Sequence, residues 1–148
     1  ALLGRARARR ELGQARAALS DLDLAVKLFK EDPIPLLERA ELRQSLGLAG
    51  VLEDLEAVSR LDPRDPQAWS RKGLLEAGLG KTERGLRSLT HALRLSGGRD
   101  PRIWIARASV YLKAGVPEAA AADYRRALQL VPEGPVADYA REQLRRIR

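Results

Sequence analysis

Residues 100–132 read DPRIWIARASVYLKAGVPEAAAADYRRALQLVP, and this stretch decides the fold. Asp100-Pro101 opens it. An Asp can accept hydrogen bonds from the free N–H groups at a helix start, and Pro is tolerated at the first helical position. Trp104, Ala108 and Tyr111 then recur at helical spacing as far as Gly115. Glycine is the residue that carries a chain through positive φ just past a helix end. Beyond it Ala120, Tyr124, Ala127 and Leu130 keep the same rhythm up to Val131-Pro132. The stretch is a pair of helices joined by a short turn.

Laid over the rest of the chain, the pattern recurs. Gly13, Gly47, Gly80 and Gly115 are 34, 33 and 35 residues apart. Seven residues before each stands a small residue (Ala6, Ala40, Gly73, Ala108), and four before that a large apolar one (Leu2, Leu36, Trp69, Trp104). The second helices align Ala18, Val51, Gly85 and Ala120, then Leu22, Leu55, Leu89 and Tyr124, with one residue fewer in the turn of the second copy. Small side chains let two helices approach where they cross, and large ones fill the space beside the crossing. One pair cannot cover its own apolar face, so neighbouring pairs stack.

Asp32-Pro33 and Asp65-Pro66 open further copies, and Gly134-Pro135 opens a last segment. The spacing predicts helices over 1–12, 15–30, 34–46, 49–61, 67–79, 82–95, 102–114, 117–131 and 135–147. It predicts one array over 1–148, with repeats at 1–32, 33–65, 66–100 and 101–134 and a capping helix at 135–148. The last helix sets Val136, Ala140, Leu144 and Ile147 on one stripe, which suits a cap; the first helix of a further repeat is the alternative.

The pattern resembles the tetratricopeptide repeat (TPR) family. Trp69, Gly73, Gly80, Gly85, Leu89 and Ala92 match that family's 34-residue signature, and Trp104, Ala108, Tyr111, Gly115, Ala120, Tyr124, Ala127 and Pro132 match it more fully. The resemblance implies an all-α, right-handed superhelical solenoid of four helix pairs plus a C-terminal capping helix. Its concave groove, lined by the first helices, would hold a peptide or helical segment of a partner protein. The groove residues it implies are Leu3, Arg7 and Arg10, then Leu37, Glu41 and Gln44, then Ser70 and Leu74, then Arg102, Ile105, Ser109 and Lys113. Some of the apolar ones could instead serve only to contact neighbouring repeats. The family's mode of capturing acidic C-termini is not expected, because of the relevant columns (Leu3 and Arg7, Glu38, Gln67 and Arg71) only Arg71 fits it.

The chain departs from the signature in two columns. A basic residue precedes each small one: Arg5, Arg39, Lys72, Arg107. The later aromatic position is kept by Tyr111 and replaced by Arg9, Arg43 and Glu76. A charge beside the core needs a partner. Asp21 and Asp123 stand sixteen residues after Arg5 and Arg107, and Asp54 stands fifteen after Arg39. The spacing therefore predicts the salt bridges Arg5–Asp21, Arg39–Asp54 and Arg107–Asp123 between the helices of each pair. The third repeat has Lys72 and Ser88 instead, with extra glycines at Gly73, Gly78 and Gly85, and is expected to be the most pliable.

Catalysis is not expected, and neither are a cofactor or a metal. His91 is the single histidine and falls on an expected outer face; with no cysteine there is neither a disulfide nor a thiolate ligand. Gly97-Gly98 lacks the surroundings of a phosphate loop. The acidic residues Glu38, Glu41, Glu53, Asp54 and Glu56 read as a solvated face. No apolar run reaches the roughly 20 residues needed to span a bilayer, so membrane insertion is not expected.

The net charge of +7 raises the question of nucleic acid or another polyanion. The second repeat is acidic, however, and the cations are distributed over both faces, whereas phosphate tracking wants one continuous basic face. The leading expectation is a protein-binding scaffold. A structural spacer within a larger protein is the alternative, and polyanion binding ranks behind both. The chain starts at Ala1 inside a helical pattern, so it is expected to be a piece of a longer protein. Its compartment stays open, with the cytoplasm favoured.

Overall fold

The computed structural model describes residues 1–147. Among these residues the chain is all-α: α1 (Leu2–Glu11), α2 (Ala15–Leu28), α3 (Pro33–Ser45), α4 (Val51–Leu61), α5 (Pro66–Gly78), α6 (Thr82–Leu95), α7 (Pro101–Lys113), α8 (Pro117–Leu130) and α9 (Pro135–Arg146). Every helix end lies within about two residues of its sequence expectation, inside the error of such readings.

The starts and stops share one chemistry. Asp32, Asp65 and Asp100 each accept a hydrogen bond from the backbone N–H two residues on, at 2.9 Å, with a proline opening the helix. Such a cap stabilises a helix by about 1 kcal/mol. After the first helix of each pair, Gly13, Gly47, Gly80 and Gly115 take φ between 65° and 80°. The next N–H then reaches back to the helix: Gln14 to Arg9, Leu48 to Arg43, Lys81 to Glu76 and Val116 to Tyr111, at 2.8–2.9 Å. Four copies of one left-handed stop explain why glycine recurs at this interval.

Two compact units result. The first, Ala1–Pro63, holds α1 to α4 in two consecutive pairs, with α2 packed on α3. Ala6, Ala18, Leu22 and Leu42 form one buried cluster there, and Ala40, Leu55 and Val58 are also buried. The second begins at Arg64 and holds α5 to α9. One of its clusters joins Leu89, Ala92, Leu93, Ile103 and Val110, with Trp69 and Trp104 packed against it. Another joins Ala108, Ala120, Tyr124 and Ala140. Helix α9 lies on α8 and α7 and turns Ala137, Ala140, Leu144 and Ile147 inward.

In the third pair Gly73 and Gly85 lie where the two helices approach each other. They let α5 and α6 approach until a Cβ built on Gly73 would lie 2.7 Å from Leu89 Cγ and 2.8 Å from the Gly85 carbonyl oxygen. The missing side chains are a condition of close packing here. Alanine in a helix normally gains about 1 kcal/mol over glycine. At position 73 overpacking should reverse that sign, so Gly73→Ala is expected to lower stability by about 2 kcal/mol. Urea unfolding checks this; a stabilised variant would mean the helices can separate freely.

Candidate functional site

Each helix pair encloses a buried carboxylate. In the first, Asp21 accepts from Arg5 Nε and Nη2 at 3.0 and 2.7 Å and from Arg9 Nη1 at 2.7 Å. In the second, Asp54 accepts from Arg39 Nε and Nη2 at 3.1 and 2.6 Å and from Arg43 Nη1 at 2.9 Å. In the fourth, Arg107 grips Asp123 at 2.8 and 2.9 Å, and Tyr111 occupies the column of the second arginine. Paired parallel bonds of this kind fix geometry as well as charge. Arg39 and Arg107 also use Nη1 to reach the preceding pair, at Asp23 (2.9 Å) and Thr90 Oγ1 (3.0 Å). The bonds to Asp54 and Asp123 come first among the causes that hold these two guanidiniums above their ordinary pKa.

The third pair carries the same tie with its polarity reversed. Glu76, fully buried on the first helix, stands in the column of Arg9 and Arg43. It accepts from Ser88 Oγ at 2.6 Å and from Arg84 Nε at 2.8 Å, both on the second helix, with Lys72 Nζ at 3.9 Å. The sequence alone shows Glu76 only as a departure from an aromatic column. The signal that could have found its role is the coincidence of Ser88 in the Asp column with an acid in the Arg column.

The expected groove residues fare unequally. In the first unit Leu3 is half-buried and Arg7 and Arg10 are exposed, but the two arginines meet α3: Arg7 is bonded to Glu38, with Nε at 2.8 Å, and Arg10 lies 3.9 Å from Glu41. Glu38 is buried, and its Oε2 has no hydrogen-bond partner among the described residues. Gln44 is half-buried. Leu37 and Ser70 are buried at 3% and 7% exposure, which leaves them no surface for a partner. In the second unit Leu74 is 41% exposed, Ile105 and Ser109 are half-buried, and Arg102 and Lys113 are exposed. Arg102 folds back on Asp100 at 3.1 and 3.2 Å.

His91 is not the open surface residue expected of it. It is half-buried, edge-on to Trp69 with ring centroids 4.5 Å apart. Burial pushes the Tyr124 phenol well above its ordinary pKa. Among the described residues no group of three or more His, Asp or Glu side chains is placed to hold a metal ion, and no helix is long and apolar enough to cross a membrane.

Comparison with known proteins places these helix pairs. Residues 71–135 match the family model of the tetratricopeptide repeat. A search of the curated proteins found no match. Among solved structures, a thermophilic TPR protein in Thermus thermophilus is similar with a TM-score of 0.82 and 25% identity over 97% of this chain and 79% of that one. MamA from Desulfovibrio magneticus RS-1 gives 0.70 and 20%, over 87% and 73%. The APC/C hetero-tetramer Cut9–Hcn1 gives 0.77 and 21%, over 99% of this chain and 29% of that one. These last two likenesses show the fold alone.

The Asp21 tie has a pH signature. The bond from Arg5, helped by its charge and by Arg9, outweighs burial and holds the Asp21 carboxyl below its ordinary 3.8. The unfolded carboxyl therefore takes up a proton first. The tie is fully present above about pH 5 and is lost as pH falls through the depressed folded value. Asp21→Asn should be less stable than the parent at neutral pH, and the gap should close as pH drops from about 5 to about 2. Urea midpoints across that range check it; a gap that stays constant would deny the carboxylate its role.

Proposed function

The chain belongs to the tetratricopeptide repeat family, and from that premise we propose that it holds a segment of a partner protein against the exposed faces of its first helices. TPR domains generally mediate protein–protein interactions, and the scaffold is typically non-catalytic. This chain itself acts as a binding module and not as an enzyme.

The observation that carries the reading lies in the second unit. Helices α5 and α7 leave Leu74 41% exposed and Ile105 partly so, with the cations Arg102 and Lys113 at either end of the α7 stripe. Arg102, Ile105, Ser109 and Lys113 follow one another at intervals of three and four, so they share one helix face. An apolar pair between two cations suits a partner segment that offers aliphatic side chains flanked by carboxylates; the apolar contacts supply affinity and the charges fix direction. In the first unit Leu3, Arg7, Arg10, Glu41 and Gln44 offer a more polar face whose arginines already meet Glu38 and Glu41. Among those five residues the half-buried Leu3 is the one apolar side chain, so that face offers a partner less apolar contact.

Site-specific photocrosslinking tests the proposal. A photoreactive residue in place of Ile105 is expected to give partner adducts, and one in place of Arg125 on α8 is not. Leu74→Asp combined with Arg102→Glu should reduce the yield from position 105 about tenfold, the loss expected for an anchor residue. Equal adducts from both positions, or a yield that the double variant leaves unchanged, would move the binding face elsewhere.

A further inference from the structure

An open cleft of about 460 Å³ lies between α5 and α6, apart from the Leu74–Ile105 face. Its walls carry Lys72, Arg84, Arg87, His91 and Arg94, with Trp69 also on its lining. Arg84, Arg87, His91 and Arg94 fall at intervals of three, four and three, so they form one stripe along α6. Ten residues of helix rise roughly 15 Å. The single carboxylate on the lining is Glu76, fully buried and already held by Ser88 and Arg84. Glu83 approaches Arg87 only at 3.9 Å with both side chains exposed, an arrangement that contributes little in water.

The other repeats serve as internal controls. The columns of Arg84, Arg87, His91 and Arg94 hold Ala17, Ser20, Leu24 and Lys27 in the first repeat. They hold Gly50, Glu53, Ala57 and Arg60 in the second, and Ala119, Ala122, Arg126 and Gln129 in the fourth. Each of those sets contains one cation, so the helix pair does not need a basic stripe to fold. The third repeat alone concentrates cations there, and it alone carries its buried carboxylate on the first helix instead of the second.

We propose that this cleft binds a short carboxylate-rich segment of a partner polypeptide. Charge complementarity selects the anion: Lys72 and Arg84 already meet the one carboxylate, Glu76, and Arg87 and Arg94 add exposed positive charge along the same stripe. Length selects an extended segment of about four or five residues, at roughly 3.3 Å each along the stripe. The aromatic disfavours a nucleobase: the Trp69 ring is already engaged by His91 in a T-shaped contact and by Lys72 Nζ at 4.4 Å from its centroid, so a stacked base would have to compete with both. Arg87 and Arg94, both exposed, make the outer contacts.

The test uses fluorescence anisotropy at low salt with three labelled probes: hexaglutamate, hexaglutamine and a single-stranded hexanucleotide. Arg87→Glu with Arg94→Glu is compared with Arg125→Glu and Arg126→Glu on α8, which changes net charge equally at exposed positions. The protein is expected to bind hexaglutamate and not hexaglutamine. The cleft variant should lose about tenfold or more in affinity and the α8 variant less than about twofold. Should the reversal variant fail to fold by circular dichroism, Arg87→Gln with Arg94→Gln is expected to weaken binding in the same direction. Equal losses in the cleft and α8 variants would reduce the effect to net charge and overturn the proposal. So would no binding of hexaglutamate, or tighter binding of the hexanucleotide with the same dependence on Arg87 and Arg94.

Discussion

A carboxylate almost removed from water lies between the two helices of every pair: Asp21, Asp54, Glu76 and Asp123 have side chains 0–6% exposed. Desolvating such a group costs several kcal/mol, and the cost is recovered only when cations and hydroxyls meet it with good geometry. The pairs meet that condition in each copy. Bonds to the acid come from the opposite helix, so they fix how one helix faces the other. The small residues at the crossing then set how near the helices come. Alanine at positions 6, 40 and 108 and the Gly73–Gly85 contact all depend on that orientation.

Arranging the same bond in two ways has consequences for the surface. Where the acid sits on the second helix, guanidiniums from the first helix reach over to cover it. Where it sits on the first helix, as Glu76 does, the guanidiniums belong to the second helix and stand along an open cleft, with Lys72 of the first helix beside them. One repeat thus exchanges a self-covered tie for an exposed basic stripe while keeping the pair together. The Leu74–Ile105 face and the α5–α6 cleft are separate surfaces of the second unit, with different chemistry: one apolar between cations, the other a line of cations.

Much of this was legible in the sequence. The helix limits follow from Asp-Pro starts and glycine stops, each a local rule with a local cause. The spacings of sixteen and fifteen residues were visible because both members of each Arg–Asp pair fall in fixed columns. What escaped was non-local or context-dependent. The bond from Arg7 to Glu38 joins neighbouring pairs across 31 residues, and nothing in either column announces it. Leu37 and Ser70 look like groove residues by register, yet neighbours bury them. Glu76 looks like a lost aromatic because its partners, Ser88 and Arg84, are ordinary helix-surface types when read alone. Periodicity places His91 outward, but the bulk of Trp69 turns that position into a contact.

If a buried carboxylate between helices is the governing constraint, its polarity should be reversible. The decisive measurement is a double-mutant cycle by urea unfolding on Glu76→Arg and Ser88→Asp. Together they give the third repeat the spacing of the first, with Lys72 in place of an arginine sixteen residues before the acid and position 76 twelve before it, as Arg5 and Arg9 stand to Asp21. Each single variant should be destabilised by about 3 kcal/mol, one by cations without an acid and the other by two facing acids. The double variant should recover most of that loss, with a coupling of about 2 kcal/mol or more. Additive losses would contradict the account and leave apolar packing alone to orient the helices.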